Sequence, residues 1–121
     1  MKQRKSLRMN RANRPTRYFS NKQEKSVAKA IGGKQTANSG ATAFSKGDVR
    51  TDEWLIECKT KMSNCNSMTI QKEWIEKNEE EAFSMGKSYS AIAFDFGDGK
   101  NHYIISEKLF KKLLRYMEDD K

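Results

Sequence analysis

The sequence predicts an α/β domain, a small mixed β-sheet flanked by helices. Three observations carry that expectation. Two apolar runs, Trp54–Thr60 and Tyr89–Phe96, have the length of strands and are bounded by turn residues. Three stretches carry apolar residues at helical spacing. The elements run helix, strands, helix, strand, strand, helix, an order that lays helices over a sheet.

Each element has its own signal. Ser20 or Asn21 can cap a first helix reaching about Ile31, with Val27, Ala30 and Ile31 as its apolar stripe and Gly32-Gly33 as its stop. Residues 34–46 are small and polar and read as a loop, with room for a short strand at Ala41–Phe44. A strand or turn at Gly47–Arg50 presents Asp48, and the strand Trp54–Thr60 follows. After a polar loop, a helix is expected from about Thr69 to Met85, capped by Thr69 or Ser67 and closed by Gly86. Ile70, Trp74, Ala82 and Met85 share roughly one of its faces. Tyr89–Phe96 is nearly all apolar, as a strand buried on both faces would be. Gly97-Asp98-Gly99 is a turn, and His102–Ile105 is the returning strand. Ser106 caps a last helix whose Leu109, Phe110, Leu113, Leu114 and Met117 form an amphipathic stripe. That stripe is expected to be core, with a dimer interface as the alternative.

Bulk composition bounds the function classes. The chain has 121 residues, enough for one modest core, with 36% hydrophobic and 33% charged residues. No run approaches the length of a membrane span, and no apolar stretch follows the basic start as it would in a secretory signal. Cys58 and Cys65 sit too close together to suggest a disulfide framework, so a reducing, intracellular location is the default.

The net charge of +8 is unevenly placed. Residues 1–22 hold eight Lys and Arg and no acid, while the remaining sixteen basic residues are balanced by sixteen acidic ones. The chain thus divides into a flexible basic arm, residues 1–19, and a neutral α/β domain, residues 20–121. Arg8, Arg11, Arg14, Arg17 and Lys22, interleaved with Asn10, Asn13, Tyr18 and Phe19, suit contact with a nucleic-acid backbone and bases better than a solvated tail. Phe19 could instead staple the first helix.

The chemistry centres on Asp48 and on Glu57-Cys58-Lys59. Side chains alternate along a strand, so Glu57 and Lys59 share a face while Trp54, Ile56 and Cys58 point the other way. Asp48 and Glu57 are hard oxygen ligands, and magnesium needs only one or two carboxylates because it keeps several waters. The carbonyl of Cys58 offers a third oxygen, and Glu24 on the first helix can reach the same edge. Lys59 can orient a water or stabilise charge building on a phosphate. A surface ion pair between Glu57 and Lys59 is the plain alternative. Trp54-Leu55-Ile56 argues against it, because a strand apolar on both faces makes mid-strand charges costly.

The pattern Glu24, Gly47-Asp48, Glu57-Cys58-Lys59 resembles the PD-(D/E)xK nuclease superfamily, closest to the small Holliday-junction resolvases of phage and archaeal type. The resemblance covers about residues 20–105, with Gly47 in place of the usual proline. It implies a restriction-endonuclease-like core and an endonuclease that cleaves phosphodiester bonds of branched DNA with Mg2+, or Mn2+ as substitute. It also implies a homodimer with two sites, and a cytoplasmic protein of a bacterial or archaeal cell or its virus. Catalytic roles would fall to Asp48, Glu57, Lys59, Glu24 and Gln71, the last from the following helix. Ser39, in a loop like that of resolvases, would join Lys46 and Lys72 at the DNA.

Other residues have simpler explanations. His102 has no ligand partner at useful spacing and reads as a surface residue. Cys58 and Cys65 with one distant histidine make no zinc site. Asp95 and Asp98 are explained by a turn, and Trp54 and Trp74 by the core. The competing function is a non-catalytic nucleic-acid-binding protein, RNA- or ribosome-associated, with a basic arm on a neutral body.

Overall fold

The first helix, α1 (Thr16–Ile31), starts earlier in the computed structural model than its cap signal predicts. The structure describes residues 16–36 and 48–119, with the side chains of Thr16 and Arg17 left out. Arg8, Arg11, Arg14, Ser39, Lys46, Gly47 and the expected strand at Ala41–Phe44 lie outside the described residues. Pro15 immediately precedes α1, and proline near a helix start costs no hydrogen bond, because the first four amides lack helical partners anyway. Helix α1 thus takes in residues 16–19, and Phe19 is buried rather than available to nucleic acid. Phe19, Gln23 and Val27 recur every four residues and form the buried stripe, while Ala30 is exposed.

The sheet contains β1 (Lys34–Gln35), β2 (Asp48–Arg50), β3 (Trp54–Thr60), β4 (Tyr89–Asp95) and β5 (His102–Ile104), in that spatial order. β3 and β4 are parallel and the other neighbours antiparallel, so the sheet is mixed as expected. The parallel pair needs a crossover, which α2 (Lys72–Ser84) provides. β1 falls where a loop was expected. Gly32, at φ 69°, ends α1, and a Cβ on Gly33 would meet the Arg50 carbonyl oxygen at 2.7 Å. Two glycines thus let the chain turn tightly enough for Lys34 to pair with Arg50.

Alternation sorts the two faces of the sheet. Val49, Ile56, Ala91 and Ala93 pack with Val27 of α1 to form the core, flanked by Ile31, Trp54, Cys58 and Ile105. The other face carries Asp48, Glu57 and Lys59 and lies against α2. Gln23 fastens the first layer to the sheet. Its Nε2 donates to the carbonyls of Lys59 at 3.0 Å and Ala93 at 3.2 Å, across the C-terminal ends of the parallel strands. Replacing Gln23 by Leu leaves both buried acceptors without that donor. The expected cost is about 2–3 kcal/mol in urea unfolding, and a loss below about 0.5 kcal/mol, the range of an ordinary surface change, would show that the bonds are dispensable.

The last helix, α3 (Glu107–Asp119), corrects an expectation. Ser106 caps it as predicted, its Oγ accepting the Leu109 amide at 3.1 Å. Its apolar stripe, however, is not core. Leu109 is buried, but Phe110, Leu113, Leu114, Tyr116 and Met117 are exposed. Sequence periodicity shows that a helix has an apolar face and says nothing of what covers it. Lys112 ties α3 to the body, donating to the Tyr89 hydroxyl at 3.0 Å. No helix among the described residues is long and apolar enough to cross a membrane.

Candidate active site

The β2–β3 hairpin sets the geometry. Register pairs Asp48 directly with Glu57, and both project from the face that α2 covers. Lys59 lies two residues further along β3 on the same face, and its Nζ is 3.0 Å from Glu57 Oε2. The three residues at the centre of the sequence pattern are brought together.

α2 completes the cluster with two residues that the sequence reading did not assign to it. Lys59 Nζ sits 4.6 Å from the centroid of the Trp74 ring, over its face. Glu81 is hydrogen-bonded to Asp48. Trp74 and Glu81 are seven residues apart, two helical turns, and so share a face. Glu79, Glu80 and Glu81 form a run in which only the helical phase distinguishes the inward residue. Counting seven from Trp74 selects Glu81. Trp74 is half-buried over a lysine rather than placed in the core.

Burial and crowded carboxylates together set the electrostatics here. Asp48, 2% exposed, is pushed up to about 8 by burial, then by the charges of Glu81 and Glu57, by its hydrogen bond to Glu81, and by Glu24. A protonated Asp48 thus donates to the Glu81 carboxylate. Partial burial pushes Glu81 upward as well, against the hydrogen bond from Asp48, which favours its charged form. The Cys58 thiol is driven far up by burial and by Glu24, Asp48 and Glu57, so it stays neutral.

Glu24, expected to complete the ligand set, comes from the helix on the opposite side of the sheet from α2. It is buried in the α1 layer, and its Oε1 accepts from Gln35 Nε2 at 3.2 Å. Asp48 and Cys58 both feel its charge. Cys58, whose carbonyl was the other proposed oxygen, lies one residue beyond the β2–β3 pairing. Gln71 is exposed at the N-cap of α2 and makes no side-chain capping bond. Lys72 is exposed and lies 3.8 Å from Glu76 on its own helix. The helix begins at Lys72 rather than Thr69, so its first inward residue is Trp74. Lys22 is exposed on α1.

No family model, curated protein or solved structure matches this chain. The site is therefore argued from its own chemistry. Among the described residues no group of three or more His, Cys, Asp or Glu side chains is arranged to hold a metal ion. A cation here would rest on Asp48 and Glu57, with water in its other positions, an arrangement that magnesium accepts. The donor chemistry fits. The oxygens are carboxylate, and burial, with the neighbouring Glu81 and Glu57 charges added to it, keeps Asp48 protonated near neutrality. A divalent cation relieves that repulsion.

The surroundings explain the remaining candidates. His102 is exposed on β5 and lies against Phe94, ring centroids 5.3 Å apart. Asp95 is buried and structural, accepting the Thr60 hydroxyl and the Gly97 amide. Asp98 accepts the Lys100 amide within the turn. A Cβ on Gly97, at φ 93°, would meet the Ser63 carbonyl oxygen at 2.3 Å, which accounts for glycine there.

Proposed function

We propose that this protein is an intracellular, magnesium-dependent endonuclease that cleaves phosphodiester bonds of branched DNA, in the manner of a Holliday-junction resolvase. The observation that carries the reading is the register of Asp48 with Glu57 and the seating of Lys59 beside them, on a buried strand where charges are costly. Asp48 and Glu57 would hold the cation. Once bound, it would supply neutralisation of the phosphate and a water of lowered pKa. Lys59 donates to a non-bridging phosphate oxygen or to the attacking water. Its ammonium is a compact charge with three donors, and phosphate accepts it readily. Glu24 adds to the field from behind the sheet edge. The basic arm supplies sequence-independent attraction to the backbone.

Cutting a four-way junction on two strands needs two sites, so the reading includes a homodimer. The exposed apolar face of α3 offers a surface for the second copy. Phe110→Lys with Leu114→Lys is expected to halve the mass in sedimentation equilibrium. An unchanged mass would move the interface elsewhere.

The functional test is cleavage of four-way junction, fork, flap and linear duplex DNA with magnesium and with chelator. Magnesium-dependent nicking strongest on the junction is expected. Binding without cleavage of any of the four would make the protein a nucleic-acid-binding module instead.

A further inference from the structure

Lysine is a poor fixed charge by itself. Its ammonium rides on a flexible four-carbon stem and goes to the nearest carboxylate. Here that carboxylate is Glu57, 3.0 Å away. If Glu57 alone held it, Lys59 would occupy an oxygen that the proposed cation needs. The structure offers a second seat. The Trp74 ring lies 4.6 Å from Nζ and presents its electron-rich face. A ring face attracts a cation without consuming a carboxylate oxygen. It also leaves the N–H donors of Nζ free to reach a phosphate or a water. Glu81, two turns along the same helix, is hydrogen-bonded to Asp48. One face of α2 thus touches both ends of the charged cluster.

We propose that Trp74 is a positioning residue, whose ring holds the Lys59 ammonium in its working place while Glu57 engages a cation. The inference rests on the nuclease reading. It predicts a difference between aromatic and aliphatic replacements of similar bulk. Trp74→Phe keeps a ring face, and Trp74→Leu keeps apolar packing only.

The experiment has two arms. In steady-state cleavage of junction DNA, Trp74→Phe is expected to keep kcat within about threefold, the loss from a weaker ring face. Trp74→Leu is expected to lower kcat about 10- to 100-fold with KM nearly unchanged, as for an interaction made at the chemical step. Equal kcat in the two variants would overturn the proposal. So would a loss confined to KM, which would make Trp74 a DNA contact. The second arm needs no cleavage. The chain has two tryptophans, so Trp54→Phe leaves Trp74 as the sole indole emitter. Adding Lys59→Met to that protein is expected to shift the emission, and an unchanged spectrum would show that the ring does not hold the ammonium. A wild-type protein that cleaves nothing, with an emission that responds to Lys59→Met, would sink the nuclease reading and leave the grip itself standing.

Discussion

Asp48→Asn, Glu57→Gln and Lys59→Ala are each expected, on the proposed nuclease reading, to lower junction cleavage at least ~10³-fold while DNA affinity stays within about threefold, because they remove groups acting at the chemical step and leave backbone attraction in place. Glu24→Gln is expected to cost less, because Glu24 acts through its charge from the α1 layer and is held by Gln35. Gln71→Ala and Lys72→Ala should leave kcat unchanged, since both side chains are exposed. Gel-shift measurements in chelator and single-turnover cleavage in magnesium separate these outcomes. If Lys59→Ala cleaves as fast as wild type, the central assignment fails. If all three variants also lose binding, the cluster is a recognition surface and not a catalytic one.

The second large effect is on stability, and it has the opposite sign. Asp48 is buried, and that burial with the nearby carboxylates pushes it up to about 8 in the folded protein, against 3.8 for a free side chain. Between those values the folded state holds a proton that the unfolded chain has released. Stability must therefore fall as pH rises from about 4 to about 8. Asp48→Asn removes the titration and keeps the shape. The variant is expected to be more stable than wild type, by about 1–3 kcal/mol at pH 8, with the gap closing toward pH 4. Magnesium should narrow the gap at pH 8 by stabilising wild type alone, because a ligand that binds only the folded state raises its stability. Thermal melts from pH 4 to pH 9, with and without magnesium, measure all of this. A gap that does not widen with pH would mean that Asp48 bears no uncompensated charge. Loss of function with gain of stability is what a site holding crowded like charges should show.

How far the sequence was legible depends on which interactions are local. β3 and β4 were readable because their apolar runs end in turn residues, and strand parity put Glu57 and Lys59 on one face, while the pairing of Asp48 with Glu57 is set by the hairpin register. The start of α1 was misread because Ser20 and Asn21 look like caps, whereas the burial of Phe19 and the position of Pro15 favour an earlier start. β1 was hidden because two residues carry no alternation, and two glycines decide the pairing. Gln71 was named through the family resemblance, and the structure places it at the N-cap of α2, one residue before the helix begins. Glu81 was hidden inside a run of three glutamates. α3 marks the firmest limit. Its stripe is as regular as any core helix, yet most of it faces outward.

The crossover between β3 and β4 has a consequence for how the cluster is assembled in time. The β2–β3 hairpin is local and can bring Asp48 beside Glu57 early. Trp74 and Glu81 arrive only when α2 folds across the sheet and the distant parallel strand docks. Half of the cluster is thus built by short-range closure and half by long-range closure. An incompletely folded chain carries the acids without the Trp74 ring that lies against Lys59. If the protein cuts DNA as proposed, competence to cut would appear in a single late event, with the docking of β4 on β3, so that a nascent chain near nucleic acid would remain harmless until its fold is closed.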